Sequence, residues 1–311
     1  MAAKLDARGV GLGVASYVIW GLFPAFWPLL DPAAPVGVLA HRIAWTLLLM
    51  AVVVALLGNW SELRTLTRRG LLMIAAAAVL IALNWGAFIY AVSLRHVVEV
   101  ALAYYITPLI SVVLAVTVLH EQLRRAQWVA LAVATTAIVV LTVENGRLPW
   151  IGLILAGSFG TYGLLRKQIS LSASASFTAE ALVLGPLAIA YLVWLEAAGN
   201  GTLGDYGAGH VLLLLAAGPV TAVPLLLFGA AARRIPLSTI GLLLYLTPTL
   251  QFLWGVLVLH EPMPPARWIG FGLVSLALAI FTADLLQHTR HRAPDGSVTP
   301  VEPGQPVRST T

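Results

Sequence analysis

The sequence predicts an all-α polytopic membrane protein of ten transmembrane helices, arranged as two inverted five-helix repeats with both termini inside. Three observations lead there: a composition that no water-soluble fold of this size can bury, ten apolar runs of bilayer length, and residue patterns that return at one fixed spacing. Of 311 residues, 59% are hydrophobic and 10% are charged, and the mean hydropathy is +0.91. Soluble domains carry about 25% charged residues, and too little of a chain this long is interior for such an excess to be hidden. Lipid must therefore be the solvent for most of the chain.

A hydrocarbon core of ~30 Å needs about 20 apolar residues per helix. By that measure the first half holds spans at 10–29, 36–58, 71–93, 98–119 and 127–143. The second half holds spans at 150–165, 177–198, 211–232, 238–259 and 267–285. Residues 286–311 turn polar and Pro-rich (Pro294, Pro300, Pro303, Pro306) and read as a disordered cytoplasmic tail. The domains are then 1–146, the first repeat; 147–285, the second and inverted repeat; and the tail. Lys4 and Arg8 precede an apolar run that continues beyond Trp20, the pattern of a retained signal-anchor.

The 18 Lys and Arg against 13 Asp and Glu give a net charge of +5. The basic residues lie between the apolar runs rather than on one face, so they report topology and not a nucleic-acid partner. With the N-terminus cytoplasmic, the inside segments hold Lys4, Arg8, Arg64, Arg68, Arg69, Arg124, Arg125, Arg166, Lys167, Arg233, Arg234, Arg290, Arg292 and Arg308. The outside loops hold only Arg95, Arg147 and Arg267, which sets both termini inside. Zero cysteines exclude disulfides, iron–sulfur ligation and cysteine nucleophiles.

The repeat is legible in the fourth and ninth spans. Tyr105-Ile-Thr107-Pro108 returns as Tyr245-Leu-Thr247-Pro248, Leu119-His120-Glu121 as Leu259-His260-Glu261, Trp128 as Trp268, and Phe88 as Phe228, all at an offset of 140 residues. Ser16-Tyr17…Trp20-Gly21 matches Ser158-Phe159…Tyr162-Gly163 at an offset of 142. Because five is odd, the second copy enters the bilayer from the opposite side, an arrangement characteristic of secondary transporters.

Prolines interrupt the first span at Pro24, the fourth at Pro108, the seventh at Pro186, the eighth at Pro219 and Pro224, and the ninth at Pro248. Each removes a helical hydrogen bond, and paired central breaks point to a midplane site. Pro24, Pro108, Pro224 and Pro248 are the candidate hinges. Ionisable groups inside the spans are His41, Arg42, Glu99 and Glu180, each a functional candidate because charge at bilayer depth is expensive. Arg42 and Glu99 both lie within roughly 10 Å of the outer end at 1.5 Å per residue, which predicts an Arg42–Glu99 ion pair or shared network in an outer vestibule. Glu180 is the inner-side counterpart and a candidate carrier of coupled protons. Trp20, Asn84, Trp85, Tyr104, Tyr105, Tyr245 and Gln251 complete a pocket of polar and aromatic side chains near the middle, suited to flat, amphipathic or cationic ligands. Gly9-x-x-x-Gly13 in the first span, and Gly157, Gly160 and Gly163 in the sixth, predict close helix approach.

The chain carries no Walker loop, dinucleotide fingerprint, HExxH or Gly-x-Ser-x-Gly pattern, and adjacent His-Glu pairs point to different helix faces rather than to one metal. No cofactor, metal or catalytic residue is expected. Without an ATP-binding domain, movement of solute must run on gradients or exchange.

Further patterns, Ile19-Trp20-Gly21…Pro24, His41-Arg42…Trp45, Asn84-Trp85…Phe88, Glu99-Val-Ala-Leu…Tyr105…Pro108, Tyr162-Gly163-Leu-Leu-Arg166-Lys167, Thr221…Val223-Pro224 and Leu237-Ser238-Thr239…Gly241…Tyr245…Pro248, follow one another in order. In that order the chain resembles the EamA-type transporters of the drug/metabolite transporter superfamily, over nearly its whole length. The resemblance implies a ten-helix fold of two repeats and a permease role in the cytoplasmic (inner) membrane. The expected activity is alternating-access transport of a small amphipathic metabolite or drug, in the efflux direction, with protons as a candidate coupling ion. A polytopic membrane enzyme acting on a lipid-linked substrate and a channel-type pore are the alternatives. The sequence sets no oligomeric state.

Overall fold

The computed structural model describes residues 6–57, 60–64, 66–120, 123–146, 148–235, 239–240 and 243–291. Among these there are helices and no strand. The main helices are α1 (Ala7–Gly21), α2 (Pro35–Leu57), α3 (Arg68–Ser93), α4 (Val97–Leu119) and α5 (Arg125–Asn145). They continue as α6 (Trp150–Gln168), α7 (Ala173–Ala197), α8 (Gly207–Ala232), α9 (Leu246–Leu253) and α10 (Pro265–His291). Seven of them, α2 to α5, α7, α8 and α10, are long and apolar enough to cross a membrane, and the count is eight if α1 and the bent segment after it form one span. The chain is a polytopic, all-helical membrane protein.

Two of the spans that carry an expected proline interruption, the first and the ninth, are broken. After α1 the chain turns by 45° at Leu22 and runs on through Phe23–Phe26 and a 3-10 turn, Trp27–Leu30. Pro24 has no N–H to give the carbonyl of Trp20 four residues back. The side chain of Gln251 supplies that donor instead, its Nε2 3.3 Å from the Trp20 oxygen. The second break precedes α9, where 244 and 245 form a turn and Pro248 stands in the first helical turn, a place that loses nothing by lacking a donor. A π-helical turn, Trp254–Val258, follows. Pro108, by contrast, sits inside an unbroken α4. At the other end α10 runs to His291, beyond the expected limit of 285, and residues 292–311 of the expected tail lie outside the described residues, as does Glu121.

Packing follows an exchange pattern. Helices five places apart lie against each other: α2 on α7, α4 on α9, α5 on α10. Other contacts come in matched pairs, α1 on α8 with α6 on α3, α1 on α9 with α6 on α4, and α2 on α8 with α7 on α3. Small residues allow the closest of these. A Cβ at Gly9 would strike Arg234 and Ile235, and one at Gly218 would strike the backbone of Trp45 in α2. Of Gly157, Gly160 and Gly163 in α6, only Gly160 meets neighbours, Ile110 of α4 nearest; Gly157 and Gly163 have open space beside them, so the expected stripe reduces to one close approach.

Candidate functional site

Because Gly218 lets α8 approach α2, Thr221 one turn later comes within reach of Arg42. Arg42 is buried and donates from Nε to Thr221 Oγ1 at 2.9 Å. Its guanidinium lies 3.9 Å from the ring centre of Trp85, 4.8 Å from that of Trp27 and 5.3 Å from that of Phe23. Three helical elements thus form an aromatic cage around one cation, each contact favourable through the ring quadrupole. The neighbouring His41 is buried as well, and its Nδ1 accepts from Trp45 Nε1 at 3.3 Å.

Next to Trp85 in α3, Asn84 is almost fully buried. Its Nδ2 donates to the Leu155 carbonyl (2.9 Å) and to Ser158 Oγ (3.1 Å) of α6, and Tyr104 donates to its Oδ1 at 3.4 Å. A run of ring contacts leads from the cage past this network: Trp27 to Phe23 (5.4 Å), then Phe88, Tyr104 and Phe159 at 6.2 Å steps, then Tyr162 at 6.1 Å. It ends at Glu180 of α7, which accepts from Tyr162 (3.1 Å) and pairs with Arg166 Nη1 (3.2 Å). Glu180 is 1% exposed, so its carboxylate is removed from water while Arg166 stays partly exposed.

The expected Arg42–Glu99 pair does not form. Glu99 sits in the first turn of α4, 3.6 Å from His96 Nδ1 and 3.4 Å from the Gly152 amide of α6. It lines a cavity of about 210 Å³ together with His96, Trp150, Arg267 and Phe271. The physical reason is helix order: α2 packs on α3, α7 and α8, whereas α4 faces α6 and α9. Equal depth in the bilayer does not make neighbours.

Tyr105 and Tyr245, equivalent residues of the two halves, stack at 6.5 Å with planes 18° apart. The Tyr105 hydroxyl shares a hydrogen bond with Thr249 (2.6 Å) and that of Tyr245 with Thr282 (3.0 Å). The motif residues beyond the helices also correspond, since His120 and His260 both adopt a left-handed backbone, with φ of 55° and 51°. Glu261 then caps α4 from the other half, accepting from the amides of Val97 (2.6 Å) and Val98 (3.1 Å).

Comparison with known proteins settles the class. The EamA-like transporter family matches residues 7–143. Protein RarD of Streptomyces exfoliatus is 48% identical over 293 residues, covering 93% of each chain. Protein RarD of Escherichia coli (strain K12) is 40% identical over 292 residues, covering 93% of this chain and 99% of that one. This chain belongs to the EamA-like transporter family. It is a membrane transporter and not an enzyme. A solved crystal structure shares the fold of this EamA-like transporter, with a TM-score of 0.57 and 17% identity, over 89% of this chain and 97% of that chain. A more distant relative, 28% identical over 300 residues, is named "Chloramphenicol-sensitive protein RarD" in Pseudomonas aeruginosa.

Within this EamA-like transporter, the sequence-based candidates divide into groups. Arg42 and Trp85 meet in the cage, Asn84 and Tyr104 meet beside it, and Tyr105 meets Tyr245 at the α4–α9 crossing. Trp20 and Gln251 meet through the Trp20 backbone carbonyl at the Pro24 break. Pro224 lends its carbonyl to Ser16 Oγ at 2.7 Å, tying α8 to α1. Glu180 and Glu99 stand at separate places. Phe23, Trp27, Ser158 and Arg166 belong to these clusters without having been singled out as site residues. The signal for Phe23 and Trp27 is their i, i+4 spacing on either side of the helix-breaking Pro24.

Proposed function

We propose that the protein is a secondary transporter of ten spans in two inverted repeats, residues 1–146 and 147–285, with both termini cytoplasmic in the inner membrane. It exports a small amphipathic metabolite or drug by alternating access. The observation that carries this reading is the stacking of Tyr105 on Tyr245 at the α4–α9 crossing, within packing in which helices five places apart trade equivalent contacts. Two halves with interchangeable contacts can exchange conformations at little cost, the basis of rocking around a fixed midplane site. The break at Pro24 and the break before Pro248 supply hinges, and Pro108 and Pro224 the corresponding weak points in α4 and α8.

The run of rings from Trp27 to Tyr162 joins the Arg42 cage to Glu180 and suits an amphipathic solute that slides across aromatic faces. Glu180 is the proton carrier in this reading, alternating between Arg166 and a proton as the substrate passes. Reconstituted into liposomes, the protein should give saturable efflux from a solute panel that begins with chloramphenicol, the drug in the distant relative's name, and an imposed pH gradient should accelerate it. Glu180→Gln should remove the dependence on the gradient while leaving solute exchange. Flux that does not saturate and runs at channel rates would replace the transporter by a pore.

A further inference from the structure

We propose that the Arg42 cage is the anion site for the substrate, receiving a carboxylate at the polar end of an amphipathic molecule. This rests on the transporter reading above and deepens it by naming the substrate class.

The argument starts from donors that lack acceptors. Arg42 is 3% exposed, and among the described residues its one hydrogen bond leaves from Nε. The four N–H bonds of the two Nη groups have no hydrogen-bond partner among the described residues, and the rings of Trp85, Trp27 and Phe23 lie around the guanidinium. A ring face attracts a cation but is no counter-charge and no strong acceptor. Trp27, also 3% exposed, has an indole N–H without a partner. Thr46 is 1% exposed and its hydroxyl is unpartnered too; it lies four residues after Arg42, on the same face of α2. No carboxylate pairs with the guanidinium among the described residues, although one does so with Arg166, Arg124 and Arg234. A buried cation surrounded by unanswered donors costs stability and is retained in a span for function.

The missing partner is therefore an acceptor, negatively charged and small. The planar fork of a guanidinium matches a carboxylate bidentately. One positive charge balances one negative, so a monoanion fits where a doubly charged phosphate would remain uncompensated. Access is built into the fold, since Phe23 and Trp27 lie just beyond the 45° break at Leu22. Swinging that segment uncovers the guanidinium without disturbing its bond from α2 to α8.

The test is tryptophan fluorescence of the full-length protein in nanodiscs, titrated with benzoate, benzamide, benzylamine and phenylphosphonate. Trp85 and Trp27 report directly, being in contact with Arg42. Benzoate should give a saturable change, with the other three at least tenfold weaker. Arg42→Gln should abolish the benzoate response, and Thr46→Val, which keeps the fluorophores and the volume, should weaken it several-fold. Equal responses to benzamide and benzoate, or a folded Arg42→Gln that keeps the wild-type benzoate response, would overturn the anion site. Saturable liposome flux of neutral solutes with no benzoate binding removes the anion site and leaves the transporter. Benzoate binding with no saturable flux does the reverse.

Discussion

Arg42 and Glu180 are buried ionisable groups on two helices, α2 and α7, that pack against each other from opposite halves of the chain. Their surroundings differ in kind. Glu180 is answered by a cation and a phenol, whereas Arg42 is answered by three rings and one hydroxyl. Packing of one pattern thus holds a completed ion pair on one side and an incomplete site on the other. The difference teaches that, if the two halves are repeats as proposed, similar packing holds different chemistry in each. On the reading proposed above, recognition lies in the first half, and the second half holds the paired charge.

The sharpest way to break this comparison is to remove one partner on each side. Arg166→Ala leaves Glu180 as an unpaired buried charge, and breaking such a pair costs about 3–5 kcal/mol. Thermal unfolding in detergent should show this as a large fall in midpoint, restored in part by Arg166→Ala with Glu180→Gln. Arg42→Gln removes a charge that no protein group neutralises, so its unfolding midpoint should stay near the wild-type value while transport of anionic solutes disappears. A severe loss of stability in Arg42→Gln beside a silent Arg166→Ala would invert the assignment of the two sites.

A second comparison lies in the joints between the halves. Ser158 of α6 receives a bond from Asn84 of α3, and its equivalent Ser16 of α1 reaches Pro224 of α8, which stands where the repeat would place a second Asn84. The first joint uses a side chain with three hydrogen-bond partners, the second a single backbone carbonyl. Asn84→Ala should cost about 1–3 kcal/mol, since it leaves buried groups unsatisfied, and Ser16→Ala about 0.5–1.5 kcal/mol. Chemical denaturation of the two variants compares them directly; equal losses would mean that the two joints remain equivalent.

Much of this architecture could be read before any coordinates. Hydropathy locates spans because bilayer thickness fixes their length, and the 140-residue register of Tyr105 and Tyr245 already pairs the residues that stack. What hydropathy cannot carry is lateral order. Arg42 and Glu99 were paired by depth alone and are separated because α2 and α4 have different neighbours. The break at Leu22 is legible only through Pro24, since an apolar run looks the same whether straight or bent. Gln251 looked like a ligand group and serves the carbonyl that Pro24 orphans, a role visible only once α1 and α9 lie side by side.

The smallest expected effect concerns the clasp between halves. Glu261 holds the first two amides of α4, and burial raises its carboxyl above the usual glutamate range, with the amides of Val98 and Val97 and the charge of Arg267 pulling it partly back. A carboxyl raised in the folded protein binds its proton more tightly there than in the unfolded chain, so its contribution to stability is complete below the unfolded value and is lost as pH rises through the folded one. Glu261→Gln cannot titrate. The wild-type advantage in unfolding midpoint over Glu261→Gln should therefore be greater near pH 4 than near pH 8, the loss setting in above the ordinary glutamate range. An advantage that grows with rising pH would show instead that the amides of α4 outweigh burial. The clasp would then be held by charge at a helix N-terminus and would tighten, rather than loosen, as the medium becomes alkaline.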